Sequence, residues 1–529
     1  MFSRRHSFIR FAATSLALMA GGAFVRAGAQ PARPSPLQTG LRLSAAGSND
    51  SAVMVLEALV AAGRPATARA LQELVGVYAR THRPDEAFRA FTQARARGTD
   101  LSSIAVRPDI SSLRNDPRFA ELFPHPSEFA KPFVEDVRII HEWRGDSTGD
   151  EFGWIGRAIG DVDGDGVTDV VVSGTQNPPF GPTRGILRVY SGKSGKLLWH
   201  RDGERGWVLG TSVEAAGDVD HDGVPDVVAG APGVGIALVL SGRDGREIRR
   251  IAGDSTEANF GGAVSAAGDV NGDGYADVIV GASGASARQP GAGRAIVFSG
   301  RSGERLLTLD GEHENDGFGS AVAGGSGRLL AVGASGGGAE HRGRVYIFDA
   351  ALASPRWVED ADSTGISLGG MFVTIAGDVD GDGVPDVYAS DFANRALGPA
   401  TGRVYIYSGA TGKTLLTLTG DRSGEALGTS ASRAGDVDGD GRADLAVGSW
   451  QFAGGAWSGG KITIYSGRDG RVLRRITGRI AGETLGFDSV GIGDVDGDGQ
   501  VDFLVTSAYS LVNGPRSGRA FVIAGTRTH

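Results

Sequence analysis

Asp436-Val437-Asp438-Gly439-Asp440-Gly441-Arg442-Ala443-Asp444 runs directly into the apolar stretch Leu445-Ala446-Val447-Gly448, and this joining of an acidic nonapeptide to a short apolar strand recurs along the chain. Six copies obey Asp-x-(Asp/Asn)-x-Asp-Gly-x-x-Asp. Their candidate ligands are Asp161, Asp163, Asp165 and Asp169; Asp218, Asp220, Asp222 and Asp226; and Asp269, Asn271, Asp273 and Asp277. The later copies supply Asp378, Asp380, Asp382 and Asp386; Asp436, Asp438, Asp440 and Asp444; and Asp494, Asp496, Asp498 and Asp502. Oxygens at alternating positions converge on one cation when the backbone coils round it, and the sixth-position glycine permits that turn. An all-oxygen donor set without His or Cys selects calcium over zinc or copper, and magnesium prefers a stricter octahedron with retained water. Left without a counter-ion, such clusters repel themselves.

The surrounding residues exclude an EF-hand, which needs Glu at position twelve and flanking helices. Position twelve is Val172, Ala229, Val280, Ala389, Val447 or Val505, each inside an apolar strand. The ninth-position Asp is therefore the last ligand, and the seventh residue offers its carbonyl.

Working outward, each loop sits in a longer unit. A Phe-Gly or Leu-Gly pair opens it: Phe152-Gly153, Leu209-Gly210, Phe260-Gly261, Phe318-Gly319, Leu368-Gly369, Leu427-Gly428 and Leu485-Gly486. A third strand closes on Tyr190-Ser191-Gly192, Leu240-Ser241-Gly242, Phe298-Ser299-Gly300, Tyr407-Ser408-Gly409 or Tyr465-Ser466-Gly467, and a fourth strand follows. Seven such units at intervals of roughly 50 to 60 residues fit the blades of an all-β propeller over residues 134–529. Gly at 86 of 529 residues is more than double its usual share of about 7% and suits many tight turns. The last unit stops after Arg519 to Ile523, and Val137 to Trp143 matches the missing fourth strand. That N-terminal strand is expected to close a seven-bladed ring inside the last blade. The fourth unit carries Gly324-Gly325-Ser326-Gly327-Arg328 where the others carry carboxylates, so no metal is expected there.

Ahead of the propeller, residues 1–29 read as an export signal: Arg4, Arg5 and Arg10, then an uncharged stretch from Phe11 to Phe24, then Ala27-Gly28-Ala29. Ser3-Arg4-Arg5-His6-Ser7-Phe8 resembles a twin-arginine signal with one extra residue, so both that route and the general secretory route remain open. Residues 30–48 read as a linker rich in Pro, Ser and Gly. Residues 49–125 show helical periodicity, with a stop at Gly63 and a start at Pro84, and resemble a tetratricopeptide-like segment; a plain helical hairpin fits equally well. No cysteine is present, so disulfides contribute nothing. The signal holds Arg4, Arg5, Arg10 and Arg26 and no acid, so its removal takes the net charge from −9 to −13. That acidity argues against nucleic acid as a partner. No stretch reads as a membrane span, and a monomer is expected.

The repeats, the Phe-Gly pairs and the ninth-position aspartates resemble the FG-GAP family, which includes the propeller of integrin α subunits. The literal Gly-Ala-Pro half of the signature occurs at Gly230-Ala231-Pro232. Six metal loops look more like bacterial secreted members. The resemblance implies calcium-stiffened adhesion or ligand binding by an exported, non-catalytic scaffold for a protein or glycan. The alternative is a hydrolase with its active site at the propeller centre. Gly145-Asp146-Ser147-Thr148-Gly149 and Gly333-Ala334-Ser335-Gly336-Gly337 satisfy G-x-S-x-G but fall at blade turns, where a nucleophile elbow needs a strand-to-helix turn. No catalytic residue is nominated. Arg144-Gly145-Asp146 reads as a coincidence of the repeated Gly-Asp turn.

Alternating strand directions put the metal loops on one face and the variable second-to-third loops on the other. These loops carry Phe180, Phe392, Trp450, Phe452, Trp457 and Tyr509, beside Arg288, Arg395 and Arg516. Such residues are favoured interface anchors, although they would serve equally well folded back into the central channel.

Overall fold

The residues that open each repeat set the geometry of the ring. In the computed structural model, which describes residues 35–63, 67–96, 101–176, 183–325, 327–430 and 433–525, the leading Phe or Leu of every repeat is buried. Its glycine follows with positive φ, +90° at Gly153, where an added Cβ would meet the Arg519 carbonyl oxygen at 2.7 Å. Single parallel bridges tie these leading residues to the start of the preceding blade's third strand: Gly185 to Leu209, Gly293 to Phe318, Gly343 to Leu368 and Gly460 to Leu485. Phe152 bridges to Gly518 in the same way, which joins the first blade to the last.

The chain divides into two compact units, Met1–Ala130 and Lys131–His529. The second is a seven-bladed β-propeller. Its sheets are antiparallel with strands in sequence order; blade 3, for example, is Phe260–Gly268, Asp277–Ala282, Arg294–Phe298 and Arg305–Asp310. Blade 7 takes its fourth strand from the N-terminal side: Ile139–Arg144 pairs with Arg519–Ile523, with Ile139 opposite Ile523 and Trp143 opposite Ala520. The expected closure is present.

Second strands are buried along their whole length because each blade covers both neighbours. Val228 and Val239 of blade 2 share a cluster with Phe260, Val278 and Ile296 of blade 3. Trp143, Leu504 and Val522 of blade 7 share one with Phe152, Val170 and Tyr190 of blade 1. Each such side chain contributes about 1.5–3 kcal/mol on leaving water, so apolar stacking between blades does the work left undone by absent disulfides.

Blade 6 is described through three of its expected strands, because residues 431–432 of the first fall outside the described residues. Among the described residues its sheet has three: Leu445–Gly448, Lys461–Tyr465 and Val472–Thr477. Where a first strand would pair, the Ser430 hydroxyl accepts the Gly448 N–H and donates to the Ala446 carbonyl. Beside these bonds the backbone also pairs, the Ala434 N–H with the Asp444 carbonyl and the Asp444 N–H with the Gly435 carbonyl.

Among the described residues the first unit holds four helices of ten or more residues: α1 (Pro36–Ala45), α2 (Asn49–Ala61), α3 (Thr67–Arg80) and α4 (Pro84–Ala96). Leu56, Leu71, Val75, Phe91 and Ile104 lie in its core. Helix α1 corrects the reading of residues 30–48 as a linker. Ser35 and Gln38 form a capping box, Pro36 occupies the first turn, and Gly40 sits against Leu56 of α2. Composition suggests a linker; the cap and the tertiary contact make a helix. The proposed signal, residues 1–29, falls outside the described residues.

Candidate metal centre

Each acidic loop connects the first and second strands of its blade, and the loop's own side chains coil it. In blade 1 the Asp161 carboxylate accepts the N–H groups of Gly164 (2.7 Å), Asp165 (3.1 Å) and Gly166 (2.8 Å). Asp165 accepts from Val167 at 3.0 Å. Gly166 has φ of +84°, the left-handed turn that glycine supplies without strain. The first-position aspartate makes the same bonds from Asp269, Asp378, Asp436 and Asp494.

The ninth-position aspartate opens the second strand and is fully buried in all six loops. One Asp169 oxygen accepts the Val162 N–H at 2.7 Å, and the other accepts the Gly192 N–H at 3.0 Å. Gly192 belongs to the Ser-Gly corner that ends the third strand. The corner donors Gly242, Gly300, Gly409, Gly467 and Gly525 bind Asp226, Asp277, Asp386, Asp444 and Asp502 in the same way. This second role of the ninth residue, tying the loop to the corner, escapes a reading of the acidic motif alone, although the regular spacing of the Ser-Gly pairs carries its signal. Burial pushes Asp169, Asp226 and Asp386 up to about 6 and also raises Asp277, Asp444 and Asp502.

Carboxylate oxygens of positions one, three and nine converge within 4.8 Å in five loops: Asp161, Asp163 and Asp169; Asp218, Asp220 and Asp226; Asp378, Asp380 and Asp386; Asp436, Asp438 and Asp444; Asp494, Asp496 and Asp502. The fifth-position residues Asp165, Asp222, Asp382, Asp440 and Asp498 turn one oxygen back onto the seventh-position N–H. In blade 3, Asn271 stands at position three and donates to Asp273 at 3.1 Å. A divalent cation fits this donor set. The blade 2 loop adds a second sign: Asp220 Oδ1 is buried without a hydrogen-bond partner, a cost of about 1–3 kcal/mol that a cation would offset.

Blade 4 is built differently. Arg328 stands at its first-to-second turn and pairs with Asp349 at 3.0 Å, while the Ala350 N–H, at the corner, binds the Arg328 carbonyl at 2.7 Å.

Of the two arrangements open to the aromatics of the opposite loops, three side chains take the buried one. Trp450, Phe452 and Tyr509 are buried. Trp450 meets Phe487 and Tyr509 edge-on at 5.6 and 5.7 Å, and Lys461 lies 4.3 Å over the Phe452 ring. Arg516 is also buried, paired with Glu151 at 3.0 Å and placed over Tyr509. Phe392 and Trp457 remain half-buried, and Phe180 lies outside the described residues. On the same side buried carboxylates hold basic partners: Glu425 with Lys461 at 2.7 Å, and Glu483 with Arg519 at 2.5 Å. The Arg144 and Asp146 side chains are engaged by Glu142 and Arg188, and Ser147 Oγ donates to Asp150 at 3.1 Å.

A ring of seven blades with acidic loops at the first-to-second turn of six of them defines a class of metal-loop propeller. Sequence comparison agrees. The FG-GAP repeat model matches residues 209–246 and 260–298, and the FG-GAP-like repeat model matches 378–447. Integrin alpha-PS5 of Drosophila melanogaster is 32% identical over 171 residues, covering 29% of this chain and 17% of its own length. Integrin alpha pat-2 of Caenorhabditis elegans is 34% identical over 190 residues, covering 31% and 15%. Integrin alpha-V of Gallus gallus is 30% identical over 214 residues, covering 35% and 20%. The chain spans about a fifth or less of the length of these relatives. Its propeller carries FG-GAP repeats, as these matches show. Among the described residues, no helix is long and apolar enough to cross a membrane.

Proposed function

We propose that this protein is an exported, non-catalytic scaffold, stiffened by about six calcium ions, that binds a protein or glycan through the face opposite its metal loops. The observation that carries the metal half is the convergence of three aspartate oxygens within 4.8 Å in five separate loops. The 23 loop aspartates, with Asn271, supply the ligands, and calcium when bound supplies charge neutralisation and a fixed loop geometry. The chain's own residues do the rest: the first aspartate coils the backbone, and the ninth ties the loop to the third-strand corner.

The binding half is supported by what the second-to-third loops leave in solvent. Half-buried Phe392 shares a loop with exposed Arg395 and Leu397, the latter 59% exposed, and Trp457 comes from the next blade. Aromatic and Arg groups on loops fixed by a rigid scaffold suit partner capture. Integrin relatives lend weight to a binding role over a catalytic one. Metal analysis of the purified protein tests the first half: calcium near six equivalents is expected, and none at all would end it. Phe392→Ala with Trp457→Ala tests the second. Capture of a surface or secreted partner should be lost with melting unchanged, and undiminished capture would refute the assignment of this face.

A further inference from the structure

One register position of the blade lies against the acidic loop in blades 2, 6 and 7 without belonging to it. It is the residue just before the fourth-strand residue that pairs with the end of the third strand. The pairs Leu240–Glu247, Tyr465–Val472 and Ile523–Ile139 make this residue Arg246 in blade 2, Arg471 in blade 6 and Arg138 in blade 7. Arg138 arrives on the closing strand, far away in sequence, yet occupies the same place. All three guanidinium groups reach the third-position aspartate of their own loop. Arg246 Nη2 lies 2.9 Å from Asp220, Arg471 Nη2 lies 2.6 Å from Asp438, and Arg138 Nη2 binds Asp496 and sits 3.1 Å from Asp498.

The other blades vary the charge in step with the loop. Phe298–Arg305 pairing makes the residue Glu304 in blade 3, whose loop has Asn271 at position three. Phe348–Pro355 pairing makes it Ser354 in blade 4, whose turn has no carboxylate. Blades 1 and 5 place Lys196 and Lys413 there. Where the third ligand is an acid the neighbour is a base. Where it is an amide the neighbour is an acid. Where the acids are gone the neighbour is neutral.

We propose that this register position sets the affinity of its loop for the cation: the arginines of blades 2, 6 and 7 stand in for the metal and must be displaced by it, whereas Glu304 returns to blade 3 the charge that Asn271 removes. The inference rests on the calcium reading above. The six loops then fall into a weaker class with an arginine and a tighter class without one. The arginines are 43–58% exposed, so screening keeps each effect modest, about two- to five-fold in affinity.

Calorimetric titration of the full chain with calcium chloride alone tests this. Arg138→Gln, Arg246→Gln and Arg471→Gln together should tighten about three equivalents by about two- to five-fold, and Glu304→Gln should loosen one by a similar factor. The tightening should shrink in 0.5 M salt, as partly exposed charge pairs are screened (Debye length about 3–5 Å there). Arg246→Gln alone, away from the ring seam, must tighten one equivalent even if the triple variant folds poorly. An isotherm unmoved by Arg246→Gln, or tightened by Glu304→Gln, overturns the proposal while leaving calcium binding standing. A chain that takes up no calcium overturns both.

Discussion

Blades 4 and 5 are neighbours with the same strand order and opposite chemistry. Blade 5 turns from first to second strand through Asp378, Asp380, Asp382 and Asp386, and its second strand ends on the buried Asp391. Blade 4 makes the same turn with glycines and Arg328, ends its second strand on Ala334, and has Ala350 where blade 5 has the corner Gly409. Both blades complete a four-stranded sheet. The carboxylates are therefore not needed to make the turn. A bound cation would offset their repeated cost in burial and self-repulsion.

The largest expected effect on this contrast comes from chelation. Loss of several linked ions, each contributing about 2.7 kcal/mol at a hundred times its Kd, should lower Tm by about 10 °C or more by calorimetry. Hydrogen exchange should rise in the acidic turns and stay unchanged between Phe318 and Ala334; equal response in blade 4 would break the comparison.

Next in size is pH. Burial holds Asp391 at about 6 in the folded state despite bonds from the Ile366 and Ser367 N–H groups, against about 3.9 unfolded. Because the folded value is the higher, its stabilising contribution is complete below about pH 4 and is lost as pH rises through about 6. The loss amounts to roughly 2–3 kcal/mol. Asp391→Asn should flatten that window in urea unfolding measured at pH 4 and pH 7, and an unaltered profile would assign the slope to other groups.

Asp380→Ala, which unlike the natural Asn271 leaves no oxygen at position three, should remove one calcium equivalent and about 2–3 kcal/mol in saturating calcium, with little change in chelator. The smallest effect is expected from Ser354→Arg in blade 4, within about 0.5 kcal/mol and without influence on calcium uptake. A changed titration there would mean that the register position acts without its loop.

Most of the ring is legible in the amino-acid sequence because the information is repeated. Seven Phe-Gly or Leu-Gly pairs, six nonapeptides and five Ser-Gly corners locate strands, turns and the seam at Ile139 and Ile523 without knowledge of packing. Ligand spacing is legible for the same reason. What stays hidden depends on contacts between distant residues. Trp450 and Tyr509 sit in loops that look solvent-exposed in sequence, and only their mutual packing with Phe487 buries them. Helix α1 is obscured by Pro and Gly until Ser35, Gln38 and Leu56 account for it. Arg138 becomes equivalent to Arg246 only after strands almost 400 residues apart are placed in register.

The seam has a mechanical consequence. Ile139–Arg144 runs antiparallel to Arg519–Ile523, and ahead of it Phe133 bridges to Gly478 while the Val134 N–H binds the Thr477 carbonyl at the end of blade 6. The segment that closes the ring is therefore pinned to two blades at once. A pull on its N-terminal side would have to break the blade 6 contacts before any force reached the ladder with Arg519–Ile523.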